Sequence, residues 1–293
     1  MRKIAAPAYD PVVVFDTCVA AIPDVAVRQA YAANRAHMAQ AALDFTAATA
    51  TTSWVNLPRV LRGNPDRIIA GTLTKKNLMA LYSEYMVGAS GTPRKIYDDL
   101  LLTPGGLCPF CGGLGQVHTL DHYLPKANFP IYSVSPANLV PCCRDCNTGK
   151  GTSIGTQLCE QTLHPYLDDD KFFTDRWIYA RASRTDPIVV TFSCSPPANW
   201  GLLDRQRAHQ HFVTYGLAYR FALQSGAETA RVVGLRSNSL KRLTNADFSE
   251  YLLESAGSAG FDLNGWNRTL YAALANTPWF CHADFNDPCW HLD

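Results

Sequence analysis

Two cysteine pairs constrain this chain more than any other feature: Cys108-Pro-Phe-Cys111 and Cys143-Arg-Asp-Cys146. Each C-x-x-C places two thiols on one tight turn, and two such pairs complete the tetrahedral shell of a zinc ion. The chain must therefore close a 31-residue excursion, from Gly112 to Cys142, onto a single point. Gly112 and Gly113 follow the first pair directly and suit the sharp turn of a zinc knuckle. Cys142 offers a competing register, Cys142-x3-Cys146, and the x2 spacing of the first pair favours Cys143. Cys18, Cys159, Cys194, Cys281 and Cys289 are scattered and read as small apolar residues. A closed four-thiolate shell is structural and leaves no position for substrate. On its own it specifies a stapled binding module without chemistry.

The excursion between the pairs adds chemistry. It contains Asp121-His122-Tyr123-Leu124-Pro125-Lys126 and Asn138-Leu139, and Asn147-Thr148-Gly149-Lys150 follows the second pair. Phosphodiester hydrolysis needs an activated water and charge neutralisation at phosphorus. His122 is a suitable general base, because an imidazole ordinarily titrates near pH 6–7. Asp121 supplies a hard oxygen donor for Mg²⁺ or Mn²⁺. Lys150 stands one helical turn beyond Asn147, where it reads either as a phosphate contact or as a solvated lysine. His118 reads as structural. His164, in Leu163-His164-Pro165-Tyr166, reads either as a further ligand of the catalytic ion or as an anchor for the chain leaving the module. Tyr123 and Pro125 read as packing residues that shape the loop.

The order C-x-x-C, D-H-x-x-P, N-L, C-x-x-C-N-x-x-K resembles the HNH (ββα-metal) endonuclease family, in the subtype with a four-cysteine structural zinc. The resemblance covers residues 108–150 and does not reach the flanks. It implies a small ββα module that hydrolyses phosphodiester bonds, with DNA the expected substrate and His122 the base. Asn147 would share a divalent ion with Asp121, and an oxygen-only pair favours Mg²⁺ or Mn²⁺ over a catalytic zinc. Asn138 would brace the loop that carries the histidine. The module would enter a minor groove and cut one strand per site, so a double-strand break implies a homodimer or paired nicks. Stand-alone proteins of this architecture resemble nuclease components of bacterial defence or restriction systems, with an ATPase among the implied partners. The alternative is a catalytically inactive zinc-bearing adaptor that binds nucleic acid or protein.

The expected fold class is α+β: a ββα-metal module at 104–155 between a helical region at 1–103 and a mainly helical region at 156–293. Helices are expected at 24–50, 75–87, 94–102, 203–224, 227–243, 246–256 and 265–275. Val12–Phe15 is β-prone, and 187–193 reads as a strand. A net charge of +1 excludes a grip on long nucleic acid by overall charge. Any nucleic-acid contact should then be local or helped by a partner, and Arg231, Arg236, Lys241 and Arg242 form the best candidate for a phosphate-contacting surface in the flanks, a stretch that reads equally as a basic solvated helix face. Pro7, Asp10, Pro11 and Asp16 interrupt any signal-peptide core and no long apolar run suggests a membrane span, so the expected compartment is the cytoplasm.

Overall fold

The computed structural model describes residues 1–151, 155–258 and 260–292. The fold is α+β, mainly helical, with three two-stranded antiparallel sheets among the described residues. None of the described helices is long and apolar enough to cross a membrane. The chain divides into two compact units. One comprises Lys3–Pro109 and Gly115–Asp168, the other Met1–Arg2, Phe110–Leu114 and Asp169–Asp293.

The first of these opens with α1 (Pro11–Ala20), where a β-prone run was expected. A start signal outweighs the β-branched residues here. The Asp10 carboxylate accepts from the N–H groups of Val12 and Val13, and Pro11 takes the first helical turn, where its missing N–H costs nothing. The helix expected at 24–50 is two, α2 (Val25–Ala33) and α3 (Arg35–Ala50). Asn34 divides them. Its amide nitrogen donates to Ala30 O and Thr72 Oγ1, and its amide oxygen accepts from Thr72 N. Thr72 lies in the turn between β1 (Ile68–Ala70) and β2 (Leu73–Thr74). A Thr74–Asn77 capping box starts α4 (Lys75–Tyr82), which runs on as a π turn, Ser83–Val87, and is followed by α5 (Thr92–Leu102).

The segment from Thr119 folds strand, loop, strand, helix: β3 (Thr119–His122), β4 (Leu139–Cys142) and α6 (Arg144–Lys150). The strands are antiparallel, with Asp121 opposite Val140 and His122 opposite Leu139. Leu120 and Leu139 join the core formed by Val14, Phe15, Leu78, Leu81 and Leu100. The hairpin is thereby fixed on the N-terminal helices, and the polar residues of β3 inherit a rigid base. Residues 152–154, at the end of the expected module, lie outside the described residues.

The other unit contains α7 (Lys171–Thr174), β5 (Ile178–Ser183), β6 (Val189–Cys194), α8 (Leu202–Thr214), α9 (Leu217–Ser237), α10 (Asn245–Ala256), α11 (Trp266–Ala275) and α12 (Pro278–His282). The strand expected at 187–193 is β6, and it pairs with β5, which the sequence reading did not anticipate. The helix expected at 203–224 breaks at Gly216, whose φ of +58° lies in the left-handed region. The one expected at 227–243 is the second half of α9 and the turn after it. Asn264 ties this unit together from full burial. Its amide oxygen accepts from Trp177 N and Ile178 N, and its amide nitrogen donates to Asp175 O. Asn264→Ala would strand these backbone groups. The expected cost is about 1–3 kcal/mol per group left unsatisfied, read as a lower denaturant midpoint; an unchanged midpoint would contradict this account.

Candidate metal centre and adjoining polar site

Cys108, Cys111, Cys143 and Cys146 are buried, and their sulfur atoms lie within 4.8 Å of one another. Four thiolates around one zinc at about 2.3 Å stand about 3.8 Å apart, so the group is close to the size of a zinc shell. A soft all-sulfur donor set suits zinc and not a hard cation. The cluster uses Cys143, as the x2 spacing suggests. Cys142 is buried beside it and donates its S–H to Cys143 O. Gly112 and Gly113 turn the chain after the first pair at φ +60° and +78°. Cys143 also caps α6, its sulfur accepting from Cys146 N at 3.5 Å. Among the described residues no other group of three or more His, Cys, Asp or Glu side chains assembles as a metal cluster.

A buried polar site adjoins this hairpin. Asp121 on β3 is 6% exposed, and its Oδ2 accepts from Lys150 Nζ at 2.7 Å. The same ammonium donates to His122 O at 2.6 Å. Lys150, read from sequence as a phosphate contact or a solvated lysine, is instead buried and pins the end of α6 to β3. Burial pushes the Asp121 carboxyl above the usual carboxylate range, and Lys150 opposes that rise. Asn147 is half-buried one turn earlier on α6.

His122 is buried at the end of β3. Its Nε2 lies 2.8 Å from Ser133 O. A carbonyl can only accept, so Nε2 carries the proton and Nδ1 keeps its lone pair. Ser133 is itself held by its hydroxyl on Leu78 O. Burial lowers His122 to about 3, against a weaker opposing pull from the Ser133 hydrogen bond, and Lys126 and Lys150 depress it further. The ring is therefore neutral at physiological pH, in place of the titration near pH 6–7 that an ordinary imidazole shows. Asn138 is fully buried and closes the loop between the strands. It accepts from Leu124 N and donates to Leu124 O and Tyr132 O.

His118 is bonded to Arg144 through Nε2. His164 packs among the rings of Trp54, Tyr123 and Tyr166, and its Nδ1 accepts from Tyr166 N. That arrangement suits an anchor for the chain leaving the hairpin. Two residues near His122 carried no signal in the sequence reading. The Tyr82 ring meets the imidazole edge-on at 4.4 Å, and Lys126 Nζ lies 4.5 Å from the centre of the Tyr82 ring. Tyr82 lies in the helix expected at 75–87 and Lys126 closes the stretch that starts at Asp121, and spacing alone marks neither as part of the site.

The fold and the cysteine cluster together define an α+β protein with four buried cysteines placed so that they could hold a structural metal such as zinc. Over 289 residues the sequence is 32% identical to Protein ea31 of Escherichia phage lambda, a match that covers 94% of this chain and 98% of that protein. The chain belongs to the family of that phage protein. No family model matches the sequence, and no solved structure does.

Purified protein should carry one zinc by elemental analysis, and Cys108→Ser should lose it and melt lower, because metal binding and local folding are coupled. Well-folded, zinc-free wild-type protein would contradict the assignment. Lys150→Ala leaves a buried carboxylate unpaired and should cost about 3–5 kcal/mol. Adding Asp121→Asn should recover much of that loss, and a double variant no more stable than Lys150→Ala would show that the pair is not the cause.

Proposed function

We propose that the chain is a metal-bearing HNH-type endonuclease that hydrolyses phosphodiester bonds in DNA, with His122 Nδ1 as the general base. The observation that carries this reading is the placement of His122. It sits at a strand end, its tautomer set by Ser133 O and its lone pair on Nδ1, with the Lys150 and Lys126 ammoniums close by. The strand–loop–strand–helix order and the Asn138 braces agree with the pattern that the sequence resembles. In the proposed step Nδ1 takes a proton from water as the water oxygen bonds to phosphorus. The opposite phosphorus–oxygen bond breaks, and the leaving oxygen takes a proton from solvent. The zinc held by the four thiolates has a structural role.

The same pattern implies a second ion, Mg²⁺ or Mn²⁺, on Asp121 and Asn147. The residues do not fit such an ion while Lys150 holds Asp121 Oδ2, and no step of the proposed reaction passes through it. The closed Asp121–Lys150 pair favours a second reading, a zinc-bearing adaptor without catalysis. Plasmid nicking separates the two. Wild-type protein should convert supercoiled to relaxed circles. His122→Gln keeps an amide donor for Ser133 O but lacks the base, and should be slower by about 10²–10⁴-fold with zinc content and melting temperature retained. Equal nicking by the two proteins would remove the mechanism, and none by either would favour the adaptor.

A further inference from the structure

The cations of this chain fall into two kinds. In the stretch 229–246, singled out from sequence, two of the four are committed to structure. Arg231 is paired with Glu228 and bonded to Tyr271. Arg236 donates to Leu240 O and Leu243 O and lies over the Phe248 ring. The stretch 59–76 differs. It holds five basic residues, Arg59, Arg62, Arg67, Lys75 and Lys76, against Asp66 alone. All but Lys75 are exposed, and among the described residues none of the five has a carboxylate partner.

The segment is built to hold these cations in place. Lys75 is buried, and its ammonium donates to Leu61 O and Gly63 O, one residue to either side of Arg62. Val60 and Asn128 exchange two hydrogen bonds, Val60 N to Asn128 O and Asn128 Nδ2 to Val60 O, each 2.9 Å. The basic loop is thereby tied to the loop that leaves His122. Between them lies a groove of about 510 Å³ lined by Arg62, Lys75 and Lys76, by the apolar Met79 and Ala80, by Ala127, and by one carboxylate, Glu84. Lys126, next to Ala127, lies over Tyr82, whose edge meets His122. Lys126 thus stands between the groove's Ala127 and the ring that meets the candidate base.

We propose that this face of residues 59–76 together with Lys126 is the docking surface for the phosphate backbone of a nucleic-acid duplex, and that it delivers a phosphodiester to His122. Guanidinium groups match phosphate oxygens two at a time. Exposed cations without carboxylate partners among the described residues fit a repeating anion. The choice of nucleic acid rests on the nuclease reading, so the test measures binding apart from cleavage.

The probe is a short fluorescein-labelled DNA duplex, titrated by anisotropy with His122→Gln protein over a range of salt. Binding should weaken steeply as salt rises. Arg62→Ala/Arg67→Ala/Lys76→Ala in that background should weaken it at every salt and flatten the log–log salt slope by about 3, one per lost phosphate contact. All three side chains are exposed, so the melting temperature should hold. Lys241→Ala/Arg242→Ala, the uncommitted cations of the other stretch, should change neither slope nor affinity. Absence of duplex binding, or an unchanged slope in the triple variant, would overturn the proposal. So would loss through Lys241 and Arg242 instead, or competition by vesicles of anionic lipid at concentrations where duplex fails. Nicking by wild-type protein without these binding effects would sink the surface and spare the nuclease reading; binding effects without nicking would do the reverse.

Discussion

The buried bond between Lys150 and Asp121 sets the geometry of the polar site. Removing both charges from water is costly, and the pair persists because the ammonium also satisfies His122 O. One side chain from the last residue of α6 therefore fixes two consecutive residues of β3. At the other end of the helix Cys143 and Cys146 belong to the four-cysteine cluster, and Cys143 caps the first turn by accepting from Cys146 N. A seven-residue helix has little stability of its own. Asn147 is held in the helix by its backbone, its N–H donating to Cys143 O and its carbonyl accepting from Gly151 N, and its side chain has no hydrogen bond among the described residues.

The hairpin carries that precision inward. Register places His122 opposite Leu139 and Asp121 opposite Val140. A slip of one residue would exchange the faces and bury the wrong side chains. Leu120 and Leu139 packed on the helical core resist such a slip. Asn138 closes the intervening loop with three bonds to backbone. The N-terminal helices, which carry no recognisable motif, are thus part of what positions His122, directly through Tyr82 and through Leu78, whose carbonyl holds Ser133.

What could be read from sequence was what local spacing determines. The paired C-x-x-C motifs placed the cluster and selected Cys143 over Cys142. Helices bounded by strong signals, at 94–102, 246–256 and 265–275, lie close to their expected positions. Apart from the local break at Gly216, the failures trace to long-range partners. Asn34 ends a helix because Thr72 lies within reach. β5 exists because β6 pairs with it. Lys150 reads as a phosphate contact or a solvated lysine until β3 brings Asp121 to it. Asp10 is the exception: its cap is local, and Asp-Pro before an apolar run was a legible helix start that the β-branched valines obscured.

Charge shows the same limit most sharply. Counting does not separate 59–76 from 229–246, since five basic residues against one acidic and four against none give the same net charge, but Arg231 and Arg236 spend their donors on neighbouring groups. An arginine whose hydrogen bonds are committed offers little to a phosphate without first breaking them. At the polar site the opposite balance holds. Asp121 and Lys150 cancel, His122 is kept neutral by burial, and Lys126, resting on an aromatic face, is left as the uncompensated charge. Burial also lowers the Lys126 pKa, the sign of an ammonium that has surrendered water without gaining a carboxylate. An arriving anion would recover that lost solvation, and it would do so one aromatic ring away from the only imidazole that β3 carries.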